Sequence, residues 1–215
     1  MSMQTISYAG YFINVDYGLG RLTLDEIIHN GMALAQNFYN FGWTENAIAG
    51  ILGNIHAESG MNPGSMENPK IWTDAMPSNA EVLATTYSRG IGIVQWTPGR
   101  VNLVQWADDH NLVWYNGLAQ VLKLKYECDN HLEMGWLWDI YTVSTNTPEE
   151  CAEFFLVHYE RPTPEEQEQS LPVRQRYAGD WYDRIHGKLM TTAQRLIFTQ
   201  NNRKRKELKR KCLRI

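Results

Sequence analysis

The sequence predicts a mainly α-helical, single globular domain with a basic C-terminal extension, and three observations carry that expectation. Helix-start signatures recur along the chain, apolar side chains follow them at intervals of three and four residues, and no strong run of alternating strand residues is present. No internal repeat is found. With 215 residues, 43% of them hydrophobic, the chain is long enough to bury one good-sized core.

Thr23-Leu24-Asp25-Glu26 has capping-box spacing, and Ile27, Ile28, Leu34, Phe38 and Phe41 follow at near-helical intervals. A first helix is expected from about Leu24 to Phe41, stopping at Gly42. Thr44 is the expected N-cap of a second helix, closed by Gly60 and Pro63. That helix ends in His56-Ala57-Glu58-Ser59-Gly60-Met61-Asn62, where Glu58 is the lone acid of a run otherwise uncharged since Glu45. At about 100° per residue, Ala47, Ile48, Ile51, Asn54 and Ile55 fall within roughly 80° of Glu58, so the carboxyl is expected to point toward the apolar side. A carboxyl in apolar surroundings tends to keep its proton, which is what a general acid needs. The plainer alternative is a solvated glutamate at a frayed helix end.

Residues 62–89, rich in Asn, Pro, Ser and Thr, read as an irregular connection with room for a short hairpin or helix. Arg89-Gly90-Ile91-Gly92-Ile93-Val94-Gln95-Trp96-Thr97-Pro98-Gly99-Arg100 follows, a glycine turn from which Pro98 can start a helix continued by Val101, Val104 and Trp106. It reads either as a tight turn into a core element or, through Gln95 and Trp96, as a polar and aromatic ligand wall. A helical region is expected from Leu118 to about Trp138. Thr147-Pro148-Glu149-Glu150 starts another, leading into Cys151, Phe154, Phe155 and His158 and ending at Arg161-Pro162. Residues 163–171 read as an acidic, Gln-rich loop, and Pro172 as the opening of a last helix with Val173, Tyr177, Trp181 and Ile185 on one stripe.

Charge is unevenly spread. Residues 1–186 hold 10 basic against 23 acidic side chains, a net of −13, while residues 187–215 hold 10 basic side chains against Glu207 alone, a net of +9. The expected organisation is an N-terminal arm over 1–22, a domain over 23–186 and a basic extension over 187–215. Cys128, Cys151 and Cys212 are an odd number without metal or redox spacing, so free thiols are expected. The first 19 residues lack a charged start and an unbroken apolar stretch, so neither a secretory signal nor a transmembrane helix is expected. Eight Trp and eleven Tyr are a heavy aromatic load, suited to stacking on sugars although most aromatics fill cores.

Several chemistries are excluded. His56-Ala57-Glu58 matches the H-x-E of zinc deaminases, but the P-C-x-x-C pair that would complete the metal site is absent. No H-E-x-x-H, G-x-S-x-G or G-x-x-x-x-G-K-[ST] is found either. A carboxylic acid, a glycine turn bearing Gln95 and many aromatics together suit protonation of a glycosidic oxygen.

Asn54-x-x-x-Glu58-Ser59 with Asn62-Pro63, then Gly92-Ile93-Val94-Gln95-Trp96-Thr97-Pro98, then Tyr159-Glu160-Arg161-Pro162 resemble, in order and spacing, the phage tail-type lysozyme domain. That domain is part of the lysozyme and soluble lytic transglycosylase superfamily. The resemblance covers about residues 24–186 and is closest to the N-terminal lysozyme domains of tail-tip peptidoglycan-degrading proteins of small tailed phages of Gram-positive bacteria. It implies a lysozyme-like fold, α+β with a small irregular or hairpin segment, and Glu58 as catalytic acid. It also implies a cleft in which Ser59, Gln95 and Tyr159 lie near the scissile sugar, with Asn54 and Trp96 as weaker additions. Tyr159 reads equally as a core aromatic.

The implied activity is that of a muramidase cutting the MurNAc-GlcNAc bond of bacterial peptidoglycan, carried in a phage virion or released for lysis, with no cofactor or metal. The alternatives are a lytic transglycosylase giving 1,6-anhydromuramic ends, or a non-catalytic glycan-binding tail module. Asp74, Glu67 and Glu81 are the nearby candidates for a second carboxylate, and the substrate's acetamido group is another source of assistance. Tail-tip proteins continue into a zinc endopeptidase, of which this chain has no motif, so peptide cross-link cleavage is not expected. The basic extension is open to phage tail proteins, nucleic acid or anionic wall polymer as partners, or to none.

Overall fold

The computed structural model describes residues 22–67 and 75–190. The described fold is mainly helical, in the order α1 (Leu24–Asn40), α2 (Glu45–Ser59), α3 (Asn79–Leu83), a π-helical turn (Arg100–Gln105) running into α4 (Trp106–Asp109), α5 (Gly117–Asp129), α6 (Leu137–Tyr141), α7 (Pro148–Phe155), a second π-helical turn (Leu156–Glu160) and α8 (Pro164–Ile185). Among the described residues there is no strand. Where a small irregular or hairpin segment was expected, two isolated antiparallel bridges, Met66 with Ile91 and Ile91 with Trp96, tie the loop after α2 to the glycine turn.

The centre of the molecule is α2, whose residues from Ala47 to Ile55 are all buried. A helix apolar or small on every side must be surrounded; α1, α7 and α8 pack around it. Two glycines set how closely. A Cβ on Gly50 would lie 2.5 Å from Cys151 Cβ on α7, and one on Gly53 would lie 2.5 Å from the Arg174 carbonyl on α8. Beside this bundle Trp43 stacks on Phe38, and Trp138, Tyr141, Phe155 and Tyr159 complete an aromatic core. Much of the aromatic load is therefore structural.

The first two helices form as the sequence predicts. Thr23 and Glu26 make the capping box of α1, Thr44 caps α2, and Gly60 closes α2 in the left-handed region at φ 59°. Two other expectations are corrected. The helix expected over 118–138 divides into α5 and α6, because His131, Glu133 and Gly135 all take positive φ, which a right-handed helix cannot contain. The Trp138 indole N–H, donating to the Leu132 carbonyl at 2.7 Å, holds that turn. The loop expected over 163–171 is instead the first part of α8. Thr163 and Glu166 form a capping box with Pro164 in the first turn, and Pro172 lies within the helix.

Residues 187–190 stay attached to the body, with Leu189 buried in the core and Met190 exchanging hydrogen bonds with Gln36. The rest of the predicted basic extension, the N-terminal arm before Leu22, and Asp74 lie outside the described residues. No described helix is long and apolar enough to cross a membrane.

Candidate active site

The close approach of α8 to α2 delivers a cation to the end of α2. Arg174 donates through Nη2 to Glu58 Oε1 and through Nη1 to Asn54 Oδ1 at 3.0 Å. Asn54 in turn donates to the carbonyls of Gly50 and of Ala152 on α7, each at 3.0 Å. Three helices are thus joined through one amide and one guanidinium. Glu58 does not sit in purely apolar surroundings, since its partner comes from 116 residues along the chain. Asn54 is fully buried and does not line the cleft expected of it; its amide is consumed in orienting Arg174.

Glu58 stands where three cavities meet. The first, about 520 Å³, is lined by Glu58, Glu67, Gln95, Trp96, Tyr159 and Glu160 among others, and so joins four of the six sequence-predicted residues. The second, about 640 Å³, contains Glu58 with Ser59, and His56 and Tyr177. The third, about 430 Å³, contains Glu58, Glu160 and Arg174. Ser59 and Gln95 therefore line different cavities, both of which Glu58 borders. His56 stacks on Tyr177 with ring centroids 3.8 Å apart, and its burial holds the imidazole below its ordinary pKa.

The wall opposite the helices is irregular and is held by buried polar side chains. Gln120 accepts from the Ile93 N–H at 2.8 Å and donates to the carbonyls of Pro63 and Trp114 at 2.7 and 2.8 Å. Gly92, at φ 81°, packs so tightly here that a Cβ would lie 2.9 Å from Gln120 Oε1. Gln95 then turns its amide to Ser65 Oγ at 3.1 Å and to the Gly92 carbonyl at 2.8 Å.

Glu127 anchors the aromatic part of the wall. It accepts from Trp96 Nε1 at 3.0 Å, from the Tyr159 hydroxyl at 2.7 Å and from Lys123 at 2.6 Å. Burial, then the neighbouring Glu127 charge, pushes the Tyr159 hydroxyl well above its ordinary pKa. Tyr159 is both a core aromatic and a cavity residue, buried and stacked on Phe155 while lining the first cavity.

Of the proposed second carboxylates, Glu67 lines the first cavity and pairs with Arg89 at 2.8 Å. Glu81 caps α3 and takes no part in the cavity. The structure adds Glu160, within the Tyr159-Glu160-Arg161-Pro162 segment but not weighed for this role in the sequence. Its place next to Tyr159 and two residues before Pro162 was the signal available in the sequence, and the structure puts it at the end of a π-helical turn. Glu160 Oε1 is buried without a hydrogen-bond partner among the described residues. Burial first, then the charge of Glu58, holds this carboxyl well above the usual range, with Arg174 opposing.

Among the described residues no group of three or more His, Cys, Asp or Glu is placed to hold a metal ion. Cys128 and Cys151 are free, and burial pushes the Cys128 thiol up to about 11, which suits neither nucleophile nor ligand.

Comparison with known proteins gives two findings. Residues 29–185 match the sequence profile of the phage tail lysozyme family. The chain is also similar to "Morphogenesis protein 1" of Bacillus phage B103, with 32% identity over 179 residues that make up 80% of this chain and 44% of that protein. It thus spans less than half the length of that relative.

Proposed function

The chain belongs to the phage tail lysozyme family, and from that premise we propose that it hydrolyses the MurNAc-GlcNAc bond of peptidoglycan with Glu58 as the catalytic acid. The observation that carries this reading is the position of Glu58 on the walls of all three cavities, the first of which also holds Gln95, Trp96 and Tyr159. Its proton goes to the glycosidic oxygen as the bond to the anomeric carbon breaks, and the electron pair stays on the departing oxygen. Arg174 gives the carboxylate left behind a counter-charge.

Gln95 supplies polar contacts and Trp96 and Tyr159 an aromatic wall to the sugar in the first cavity, and Ser59 lines the other side. Glu67 is the carboxylate in the first cavity available to activate water. The family and the name of the Bacillus phage relative, a morphogenesis protein, support a role in a phage, and we place that role in the particle, acting on the host wall when infection begins or at lysis.

The Glu58→Gln protein should clear purified cell walls at least about a hundredfold more slowly while keeping its circular dichroism spectrum. A wild-type rate in that variant would refute the assignment. Ordinary reducing ends are the expected products, and 1,6-anhydromuramic ends would reassign the reaction to transglycosylation.

A further inference from the structure

If Glu58 is the acid, each turnover must return a proton to a side chain that lies against a guanidinium. Glu160 has the opposite surroundings. Its Oε1 is buried and unpartnered among the described residues, which is costly for a carboxylate and much less so for a neutral carboxylic acid. The two side chains share the walls of both the first and the third cavity.

We propose that Glu58 and Glu160 hold one exchangeable proton between them, Glu160 storing it and Glu58 delivering it to the glycosidic oxygen. This rests on the assignment of Glu58 as catalytic acid. Glu160 acts through Glu58 and not on the sugar, as a positioning residue for the proton.

The cycle balances. The Glu160 O–H passes its proton to the Glu58 carboxylate, and Glu58 passes it on as the anomeric bond breaks and the departing oxygen becomes a hydroxyl. Both carboxyls are then ionised, and their repulsion favours recovery of a proton. Water adds to the anomeric carbon and gives its proton to Glu67, Glu67 releases it to solvent, and a proton taken up from solvent by way of Glu58 returns to Glu160.

The groups facing Glu160 from each neighbouring element agree with a stored proton. Glu58 on α2 and Glu127 on α5 oppose its ionisation, and Arg174 on α8 favours it. The other nearby charges are taken up elsewhere: Arg161 pairs with Glu133, Arg89 with Glu67, and Glu166 caps the start of α8. The Tyr159 hydroxyl is committed to Glu127.

Carbon-13 NMR of glutamate-labelled protein, full length and unliganded, tests this without relying on turnover. One carboxyl should remain protonated at neutral pH, its signal should be absent from Glu160→Gln, and its titration should move to lower pH in Glu58→Gln. In walls-clearing assays the alkaline limb of kcat/KM should move down by about one pH unit or more in Glu160→Gln, a tenfold loss at fixed pH. Glu160→Asp should restore a limb near the wild-type position.

Finding every glutamate ionised at neutral pH, or a Glu160 titration indifferent to Glu58→Gln, overturns the proton store whatever the activity of the variants. If Glu160→Gln fails to fold, the Glu58→Gln titration still decides. An unimpaired Glu58→Gln enzyme would instead overturn the catalytic assignment, so the two failures are distinguishable.

Discussion

The wall of the cavity that carries Glu58 is assembled by helix packing, whereas the wall that carries Gln95 is assembled by polar side chains that hydrogen-bond to the backbone and side chains of a loop. On the helical side, Gly50 and Gly53 let backbone meet backbone or Cβ, and Arg174 arrives at Glu58 as a consequence of that contact. On the irregular side, Gln120, Gln95 and Glu127 hold Pro63, Gly92 and Trp96 in place. Helix contact spreads a local change over the whole bundle, while a loop held by a few polar groups can lose its shape alone. The charged pair of Glu58 and Arg174 stands on the first kind of support and the proposed sugar-facing surface on the second.

The strongest challenge to the helical side is Gly53→Val. Its Cβ would meet the Arg174 carbonyl at 2.5 Å and the Ala178 nitrogen at 2.9 Å, backbone atoms that move only if α8 moves. A destabilisation of about 3 kcal/mol or more is expected in urea unfolding, and the whole molecule should lose stability together. A variant of native stability would show that α2 and α8 are not in the tight contact described.

Gln120→Leu makes the matching change on the irregular side. It leaves the Ile93 N–H and the Pro63 and Trp114 carbonyls without their partner, at an expected cost of about 2 kcal/mol. Wall-clearing activity should fall even where the variant remains fully folded, because the turn bearing Gln95 is free to shift. Native activity at native stability would mean that the turn holds its shape without Gln120.

The same division explains what could be read from the chain. The helical side announces itself locally: Thr23, Thr44 and Thr147 mark starts, Gly60 marks a stop, and Glu58 stands out as a lone acid. The partners of those residues do not. Arg174 meets Glu58 across 116 residues and Glu127 meets Tyr159 across 32, and no local periodicity encodes either. The wheel projection set Glu58 on the face of the isoleucines, but could not show a guanidinium arriving from α8. Likewise Asn54 shares the face of Glu58 and was read as cleft wall, when its burial commits it to Arg174. Gln120 carries no motif at all, since a glutamine becomes an anchor only through the loop that folds against it.

One start signal was legible and passed over. Thr163-Pro164-Glu165-Glu166 repeats the tetrapeptide at Thr147-Pro148-Glu149-Glu150, and both form capping boxes in the structure. Pro172 and the run of polar residues after Thr163 argued for a loop, yet a helix of 22 residues anchored on α2 and α7 tolerates a proline within it. Thr163→Ala therefore gives the smallest and finest test of the helical side. It removes the cap at an expected cost of about 1 kcal/mol. Arg174 lies well beyond the first turn, so activity at temperatures where the variant is folded should equal that of the wild type. The stability difference should also depend on pH. Hydrogen bonds from Thr163 hold Glu166 below the ordinary carboxylate range, so its share of the cap is present above the unfolded value and lost as pH falls through the lower, folded one. The wild-type and variant melting temperatures should accordingly converge on acidification. A loss of activity without a loss of stability would place the start of α8 in the catalytic support, and would narrow the difference between the two walls.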